Sequence, residues 1–378
     1  MIWPLRIPAL TAVVGALVLA VPAAPASAAP PIKHVFVIVL ENESYATTFG
    51  PKSPAPYLAR KLPQAGALVR KYYGIGHSSL DNYIAMISGQ APNPDTQGDC
   101  KQYTDFVPGV PGIGSDGQAI GQGCVYPASV LTVANQLEAV GLTWRGYMQD
   151  MGADPARESS TCAHPAIDSK DNTQAAKPKD QYATRHDPFV YFHSIIDYPT
   201  CDTGVVPLSQ LGADLSSASQ TPNLVFITPD LCNDGHDAKC ADGGHGGLRQ
   251  ANSFLRKWVP RIGGSPAFKS NGLLILVFDE AAGGDATACC GEQPGYNTTK
   301  PGKKGPGGGR TGAVLISRYI KAGTVSKKSY NHYSLLRSIE DIFGLEHLGY
   351  AGQAGLRSFG SDVYTAPRGS HVPTVPSR

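Results

Sequence analysis

The sequence predicts an α/β protein with a mostly parallel central sheet and helices on both faces. Apolar runs of strand length recur along the chain, and stretches of helical periodicity separate them. The first run, Val35 to Leu40, consists of six apolar residues, and Leu273 to Phe278 is the most hydrophobic. Strands that alternate with helices in this way form sheets that are covered on each side.

The predicted elements follow one another in order. We expect strands at residues 35–40, 67–73, 143–148, 224–228, 273–278 and 313–317. We expect helices at residues 56–62, 80–88, 130–140, 247–259 and 333–343. Stretches rich in Gly and Pro at residues 92–126, 151–207 and 281–310 interrupt the rhythm, and we interpret them as insertions, the last of them mobile.

The two ends of the chain are predicted to lie outside the fold. Residues 1–28 combine a positively charged start, an apolar stretch and the small-residue site Ala26-Ser27-Ala28, which together indicate a secretory signal peptide. No later apolar run approaches the ~20 residues of a membrane-spanning helix. We therefore expect a secreted, extracellular protein without a transmembrane anchor. Its single domain would cover residues 29–350, and residues 351–378 would form a poorly packed Gly/Ser/Pro-rich tail.

The eight cysteines fit an oxidising compartment. Cys100 with Cys124 and Cys162 with Cys201 would each close one insertion, and Cys232 with Cys240 could staple a loop. The vicinal pair 289–290 stays unassigned at this point. A zinc site is the competing interpretation, but the chain has no CxxC pair to support it.

Composition excludes one class of partner. The net charge is +2 with 16% charged residues, and the sequence shows no basic stripe, so we expect no nucleic acid. The oligomeric state cannot be read from the sequence.

Polar residues stand where the predicted strands end, and this is where ligands gather in open α/β sheets. Any one of these residues is explained by an ordinary role such as a helix cap. Together they predict an oxygen-rich pocket in which buried acids need a cation or several donors to remain ionised. The set comprises Glu41, Asn42, His77, Ser78, Ser79, Asn82, Asp230, Asp234, His236, Asp237, Asp279, Glu280 and His332.

The stretch GHSSL allows a second interpretation. It resembles the GxSxG elbow of α/β-hydrolases, with Ser78 as nucleophile, and Ser78, Asp279 and His332 follow that family's Ser-Asp-His order. However, Leu80 occupies a position where the elbow needs a small residue, because strand and helix approach each other closely there.

The motifs as a set resemble the bacterial phosphoesterase family of secreted acid phosphatases and phospholipases C, within the alkaline-phosphatase-like superfamily. KHVFVIVLENESYATTFG is similar to its opening strand, and GHSSLDNYIAMISG is similar to its nucleophile segment. ITPDLCNDGHD and VFDE resemble its acidic loops, NHYSLLRSIEDIFGL its last helix, and RHDPFVYF a stretch that contributes His186.

The resemblance implies a role for each site residue. Ser79 would be the nucleophile, with His236 and His332 as further catalytic groups. His77, Asn82 and His186 would bind the substrate phosphate. A divalent cation (Ca, Mg or Zn) would be held by Glu41, Asn42, Ser79, Asp279 and Glu280, and a possible second one by Asp230, His236 and His332.

Two departures from the family pattern favour a phosphomonoesterase of the acid phosphatase type. No Asp-His follows Asp279-Glu280, and the additional C-terminal domains of larger phospholipases C are absent. Expected substrates are small phosphate esters or phospholipid and phosphoinositide head groups. A phospholipase C-type phosphodiesterase and an exported cation-binding protein with a degenerate site are the alternatives.

Overall fold

The computed structural model describes Met1, residues 29–366 and residues 374–376. The predicted signal peptide therefore lies outside the described residues, apart from Met1. Among the described residues, no helix combines the length and the hydrophobicity that a membrane crossing requires.

The described strands comprise one large sheet and two small ones. They are β1 His34–Leu40, β2 Ala67–Tyr73, β3 Gln102–Tyr103, β4 Val107–Ile113, β5 Ala119–Gln122, β6 Trp144–Met148, β7 Ser169–Lys170, β8 Val205–Pro207, β9 Leu224–Thr228, β10 Gly272–Phe278, β11 Ala313–Ser317 and β12 Thr324–Asn331. The large sheet has eight strands in the order β12-β2-β11-β10-β1-β9-β6-β8. Only β11 runs antiparallel to its neighbours in that sheet, so the prediction of a mostly parallel sheet is confirmed.

Helices cover both faces of this sheet, as predicted. They are α1 Tyr45–Phe49, α2 Leu62–Ala65, α3 Ser79–Ser88, α4 Val133–Ala139, α5 His193–Ile196, α6 Thr200–Gly204, α7 Leu211–Asp214, α8 Gly247–Gly264, α9 Pro266–Asn271 and α10 His332–Phe343. Alternate residues of β1 point to opposite faces, so Val35, Val37 and Val39 pack in the same core as α3, α4 and α10. Phe36, Ile38 and Leu40 pack with α8 and α9 on the other face.

Two strands of the large sheet lie where no strand was predicted. β8 falls inside the stretch that we expected to be a loop insertion, and it pairs with β6 at one edge of the sheet. β12 pairs with β2 at the other edge. Its sequence TVSKKSYN is largely polar, because an edge strand does not need the apolar run by which buried strands were recognised. In addition, α8 continues beyond the predicted end at Val259, through Pro260 to Gly264.

Four disulfides fasten the excursions from the sheet. Cys100–Cys124, Cys162–Cys201 and Cys232–Cys240 form as predicted, and Cys289 pairs with its neighbour Cys290. All eight cysteines lie in the described part of the chain, and none of them is free for a zinc site.

The described part of the C-terminal segment is packed, in contrast to the poorly packed tail that we expected. Phe359 and Val363 are buried in the core beneath α10. Asp362 accepts a hydrogen bond of 2.8 Å from the Tyr330 hydroxyl of β12. The apolar residues of this segment are widely spaced among Gly and Ser, so they show no helical or strand periodicity that would have predicted packing.

A buried acid on α10 makes stability depend on pH. Glu340 is fully buried. Its Oε1 accepts the Leu348 N–H at 2.8 Å, but its Oε2 has no hydrogen-bond partner in the part of the chain that the structure describes. Burial raises the pKa of Glu340 from 4.5 to about 8. Between these two values the folded protein keeps a proton that the unfolded chain has lost, so raising the pH favours unfolding.

We expect Glu340→Gln to match the parent in free energy of unfolding at pH 5 and to exceed it at pH 8, because glutamine never has to ionise. Urea denaturation at both pH values measures this difference. Glu346→Gln, which changes an exposed glutamate close in sequence, should retain the pH profile of the parent. A Glu340→Gln protein that is less stable than the parent at pH 8 would show that the carboxyl is ionised and stabilising there.

Candidate active site

The pairing of β1 with β10 places two acids side by side. Leu40 lies opposite Phe278 in the parallel register, and the Asp279 N–H donates to the Leu40 carbonyl at 2.8 Å. Glu41 and Asp279 therefore leave the sheet together at its carboxyl edge. The Asn42 N–H donates to Asp279 Oδ1 at 3.0 Å, which fixes the second carboxyl against the first strand.

Glu41 is the centre of a group of buried acids, Glu41, Asp234 and Asp279, which we call the acid cluster. It is fully buried, and its Oε2 accepts the Ser79 hydroxyl at 2.8 Å. Its Oε1 accepts the Tyr83 hydroxyl at 2.7 Å. The Asn42 side-chain amide lies 3.3 Å from Oε2. The structure thus brings together Glu41, Asn42, Ser79 and Asp279, four of the five residues expected at the cation.

Ser79 is the first residue of α3, and Ser78 is its N-cap with an extended backbone. The Leu80 N–H donates a hydrogen bond of 3.1 Å to Asp99 Oδ1. A helix N-terminus carries partial positive charge and favours an anion such as phosphate. The Ser79 hydroxyl therefore stands where a negatively charged ester would be stabilised.

The Asn82 side chain has a different function from the expected phosphate contact. Its Oδ1 accepts the N–H groups of Ile75 and Gly76 at 2.7 and 3.0 Å. Its Nδ2 donates to the carbonyls of Gly76 and Ser78, both at 3.0 Å. With these contacts made, Asn82 shapes the loop that presents Ser79 and does not face a substrate.

Crowding of buried acids is the main electrostatic feature of the cluster. Burial, with added repulsion from Asp279 and Asp234, raises the pKa of Glu41 well above its usual range. Burial also raises the pKa values of Asp234 and Asp279. Among the described residues, no Lys or Arg forms an ion pair with these three acids. Like charges at such short range need a compensating cation.

His186 lies on the other side of Glu41. Its Nε2 is 3.5 Å from Glu41 Oε2, and its Nδ1 is 3.3 Å from Asp234 Oδ2. Its ring stacks on Tyr83 at 5.3 Å between centroids. Burial lowers the pKa of His186 well below its usual value, so the imidazole is neutral. Ligand atoms of Glu41, His186 and Asp234 all lie within 4.8 Å of one another.

His236 lies at the margin of this group and is partly exposed. Its Nδ1 is 2.8 Å from Asp237 Oδ1, and Arg185 Nη2 is 3.3 Å from its Nε2. Because a carboxylate accepts and a guanidinium donates, the ring carries its proton on Nδ1. The backbone N–H of His236 donates to Asp234 Oδ1 at 2.7 Å, so His236 contacts the acid cluster through its backbone.

The catalytic role expected for His332 does not fit its contacts. Its Nε2 contacts the backbone carbonyl of Asp279, and its Nδ1 lies 3.0 Å from the Tyr72 hydroxyl. A carbonyl only accepts, so Nε2 carries the proton and Tyr72 donates to Nδ1. Burial lowers the pKa of His332 to about 4. His332 is therefore a neutral residue that positions the Asp279 backbone.

The Ser-Asp-His arrangement of the hydrolase interpretation is not assembled. The Ser78 hydroxyl donates to the Gln97 carbonyl at 2.8 Å and contacts the Lys303 ammonium group. Both ring nitrogens of His332 are engaged elsewhere, so Ser78 has no base.

Glu280, the fifth residue expected at the cation, points away from Glu41. Its Oε2 lies 2.6 Å from His77 Nδ1, and His77 Nε2 lies 2.7 Å from the Asp285 carbonyl. The chain bends at Asp279 and Glu280 after β10, and the two carboxyls have different partners. His77 is thus committed to Glu280 rather than free for phosphate.

The proposed second cation set of Asp230, His236 and His332 is also separated. Asp230 Oδ1 accepts the N–H groups of Cys232 and Asn233 at 3.0 and 2.8 Å. These bonds close the loop after β9, where Asp230 acts as a turn-forming residue. Asp234, four residues later, lies beside His186 instead, with 3.3 Å between Oδ2 and Nδ1.

The acid cluster fits a divalent cation. Asp234 Oδ2 and Asp279 Oδ2 are buried without hydrogen-bond partners among the described residues, as are both ring nitrogens of His186. The 3.3 Å approach of His186 to Asp234 is a close contact rather than an aligned hydrogen bond. Orphaned carboxylate oxygens and a neutral imidazole are the ligand atoms that a cation would satisfy.

Several site residues were either missed in the sequence or, like Asp234, included in the predicted pocket without a role. Tyr83 is four residues after Ser79 and thus one turn along the same helix face, a spacing that could have indicated it. Asp234 stood in a loop with three other acidic or imidazole groups, and sequence could not choose among them. Lys303 comes from the glycine-rich stretch, which gave no signal for a contact with Ser78.

Comparison with known proteins identifies similar sequences and structures. A model of the phosphoesterase family matches residues 52–346. The phosphatidylinositol-3-phosphatase of Mycobacterium tuberculosis is 27% identical over 330 residues, which are 87% of this chain and 83% of that protein. The phosphate-repressible acid phosphatase of Penicillium chrysogenum is 26% identical over 315 residues, or 82% of this chain and 59% of that protein. The chain thus spans little more than half the length of this fungal relative.

Among solved structures, a protein in the alkaline phosphatase superfamily from Vibrio parahaemolyticus is similar. It is 12% identical, with 85% of this chain and 68% of that chain covered and a TM-score of 0.49. The match of the family model extends over most of the sequence and contains Ser79, His186, Asp234 and Asp279. The chain therefore belongs to the phosphoesterase family and is a phosphoric ester hydrolase.

Proposed function

We propose that the protein is an exported, metal-assisted phosphomonoesterase of the acid phosphatase type. One observation carries this proposal: the Ser79 hydroxyl opens α3 and is held at 2.8 Å by a buried carboxylate of the acid cluster. The relatives support a monoester substrate, since those compared above are named as phosphatases. The four disulfides support an oxidising compartment.

Glu41, Asn42, Ser79 and Asp279 are the residues that would hold the cation, with Asp234 and His186 beside Glu41. When bound, a divalent cation neutralises acids and phosphate oxygens and lowers the pKa of a nearby hydroxyl. Oxygen ligands favour Ca²⁺ or Mg²⁺, whereas the imidazole of His186 also suits Zn²⁺.

In the proposed reaction, Ser79 is the nucleophile and the surrounding residues of the chain position it and stabilise the phosphoryl group. Ser79 Oγ attacks phosphorus, its proton leaves toward Glu41, and the bond from phosphorus to the leaving oxygen breaks. The N-terminal amides of α3 stabilise the phosphoryl oxygens. Both ring nitrogens of His236 are engaged, with Asp237 and with Arg185, so the departing alkoxide takes up its proton from solvent. Water then hydrolyses the phosphoserine and restores the Ser79 hydroxyl.

The proposal is tested by hydrolysis of p-nitrophenyl phosphate and of bis(p-nitrophenyl) phosphate, before and after treatment with a chelator. We expect faster turnover of the monoester, loss of activity on chelation, and recovery with one of Ca²⁺, Mg²⁺ or Zn²⁺. Preference for the diester would favour the phospholipase C-type alternative. Full activity in a preparation shown to be metal-free would remove the cation from the proposal.

A further inference from the structure

A buried acid behind the nucleophile takes no part in the proposed reaction. Asp81 stands in the first turn of α3, two residues after Ser79. It is fully buried, and both of its carboxylate oxygens lack a hydrogen-bond partner among the described residues. The carboxylate packs directly on Gly76, where a Cβ atom would lie 2.2 Å from Asp81 Oδ1. A buried carboxylate without hydrogen bonds needs a compensating charge nearby.

Two further acids lie near Asp81, and we call Asp81, Asp99 and Glu280 the second acid group. Burial raises the pKa of Asp81 well above its usual range, and the charges of Glu280 and Asp99 raise it further. Asp99 accepts the Leu80 N–H at 3.1 Å, and Glu280 lies 2.6 Å from His77. Because Asp81 has no such partner, it depends more than the other two acids on a neighbouring positive charge.

Lys303 supplies a positive charge at this place. Its ammonium group donates to the Ser78 hydroxyl, which belongs to the residue before the nucleophile. Burial raises the pKa of Glu280 as it does that of Asp81, and the charge of Lys303 opposes the rise at both acids. The ammonium group is hydrogen-bonded to a hydroxyl rather than to a carboxylate, so Lys303 acts on the two acids through its charge.

The glycine-rich segment that carries Lys303 is fixed to both halves of the active site. The Gly308 N–H donates to the Gly74 carbonyl at 3.0 Å, in the loop that leads to the nucleophile. The Gly308 carbonyl accepts the Ala281 N–H at 2.8 Å, just beyond the end of β10. Lys303 therefore belongs to a segment that joins the nucleophile loop to the strand end from which Asp279 projects.

We propose that Lys303 is a positioning residue, whose charge balances the second acid group and thereby holds Ser79 at the acid cluster. Asp81 shares a helical turn with Ser79, and Glu280 directly follows Asp279. Repulsion between Asp81 and Glu280 would drive apart the two elements that carry the nucleophile and the metal ligand. The chain thus supplies its own cation for the second acid group. The inference rests on the proposed function and adds a residue to it.

The test measures kcat and KM for p-nitrophenyl phosphate in Lys303→Met, in Asp81→Asn and in the double variant, at a single pH. We expect Lys303→Met to lower kcat roughly tenfold and to leave KM near the parental value, because Lys303 does not touch the substrate. The double variant should regain most of this loss, since one of the acids that Lys303 balances is then neutral. Lys303→Arg keeps the charge and should retain the parental kcat. Lys304→Met removes the neighbouring exposed lysine and should do the same.

Two kinetic results would overturn the positioning role. One is a double variant that is no more active than Lys303→Met. The other is a raised KM with unchanged kcat, which would make Lys303 a direct contact of the substrate phosphate.

Melting temperatures give a readout that needs no activity. Replacing Lys303 by Met should lower the melting temperature of the parent more than that of the Asp81→Asn protein. Equal decreases would show that the two charges are not coupled, and the inference would fail. A parent that shows the difference but hydrolyses no phosphate monoester would refute the proposed function and leave the coupling of Lys303 to Asp81 intact.

Discussion

Ser79→Ala is expected to reduce turnover of p-nitrophenyl phosphate by at least about 10³-fold, because a covalent nucleophile is rarely replaced by water alone. The Ser79 hydroxyl lies 2.8 Å from Glu41 at the start of α3, whereas the Ser78 hydroxyl donates to the Gln97 carbonyl. Folding should be unaffected, since the Ser78 and Asp99 contacts that begin the helix remain. Steady-state rates measure the loss of turnover, and a thermal denaturation curve measures whether the variant folds like the parent.

The adjacent serine provides the control. Ser78→Ala removes a hydroxyl that contacts Gln97 and Lys303, and we expect it to retain most of the turnover. Labelled phosphate trapped on the enzyme during turnover should map to Ser79 by peptide mass spectrometry. Label on Ser78, or an active Ser79→Ala enzyme, would contradict the assignment of the nucleophile.

The sequence predicted the edge of the sheet at which the site lies, because strand ends are set by where apolar runs stop. Glu41 and Asp279 follow two such runs, and their strands are in register. Which strands are neighbours could not be read from the runs themselves. The resemblance to the family indicated instead which residues share a site, because it implied that Ser79, His186 and the acids act together.

The direction of individual side chains was the part that sequence could not supply. Glu280 follows Asp279 directly, yet it pairs with His77 at 2.6 Å, because the chain bends at these two residues. His332 was recognised as a site histidine, but only the structure shows that both of its nitrogens are engaged. A motif identifies which residues converge, whereas hydrogen bonds decide which of them remain free to act.

Asp279→Asn is expected to remove the cation and to lower turnover by at least about 10²-fold. Asparagine keeps the size of the side chain but removes one of the charges crowded around Glu41. Because burial already raises the pKa of Asp279, the metal-free variant should be no less stable than the metal-free parent. The parent should gain thermal stability on adding the cation, as any ligand of the folded state provides, and the variant should lose that gain.

Three measurements distinguish a metal ligand from a structural acid. They are metal content by mass spectrometry, melting temperature with and without cation, and turnover. Asp214→Asn is the matched control, because it also neutralises a hydrogen-bonded acid. Asp214 accepts from Arg145 and Tyr147, both at 2.6 Å, and it makes no contact with the acid cluster. This control should lose some stability while keeping metal and turnover. An Asp279→Asn protein with full metal content and turnover would mean that this carboxyl is held by hydrogen bonds such as that from the Asn42 backbone. The charge of the cluster would then be balanced without it.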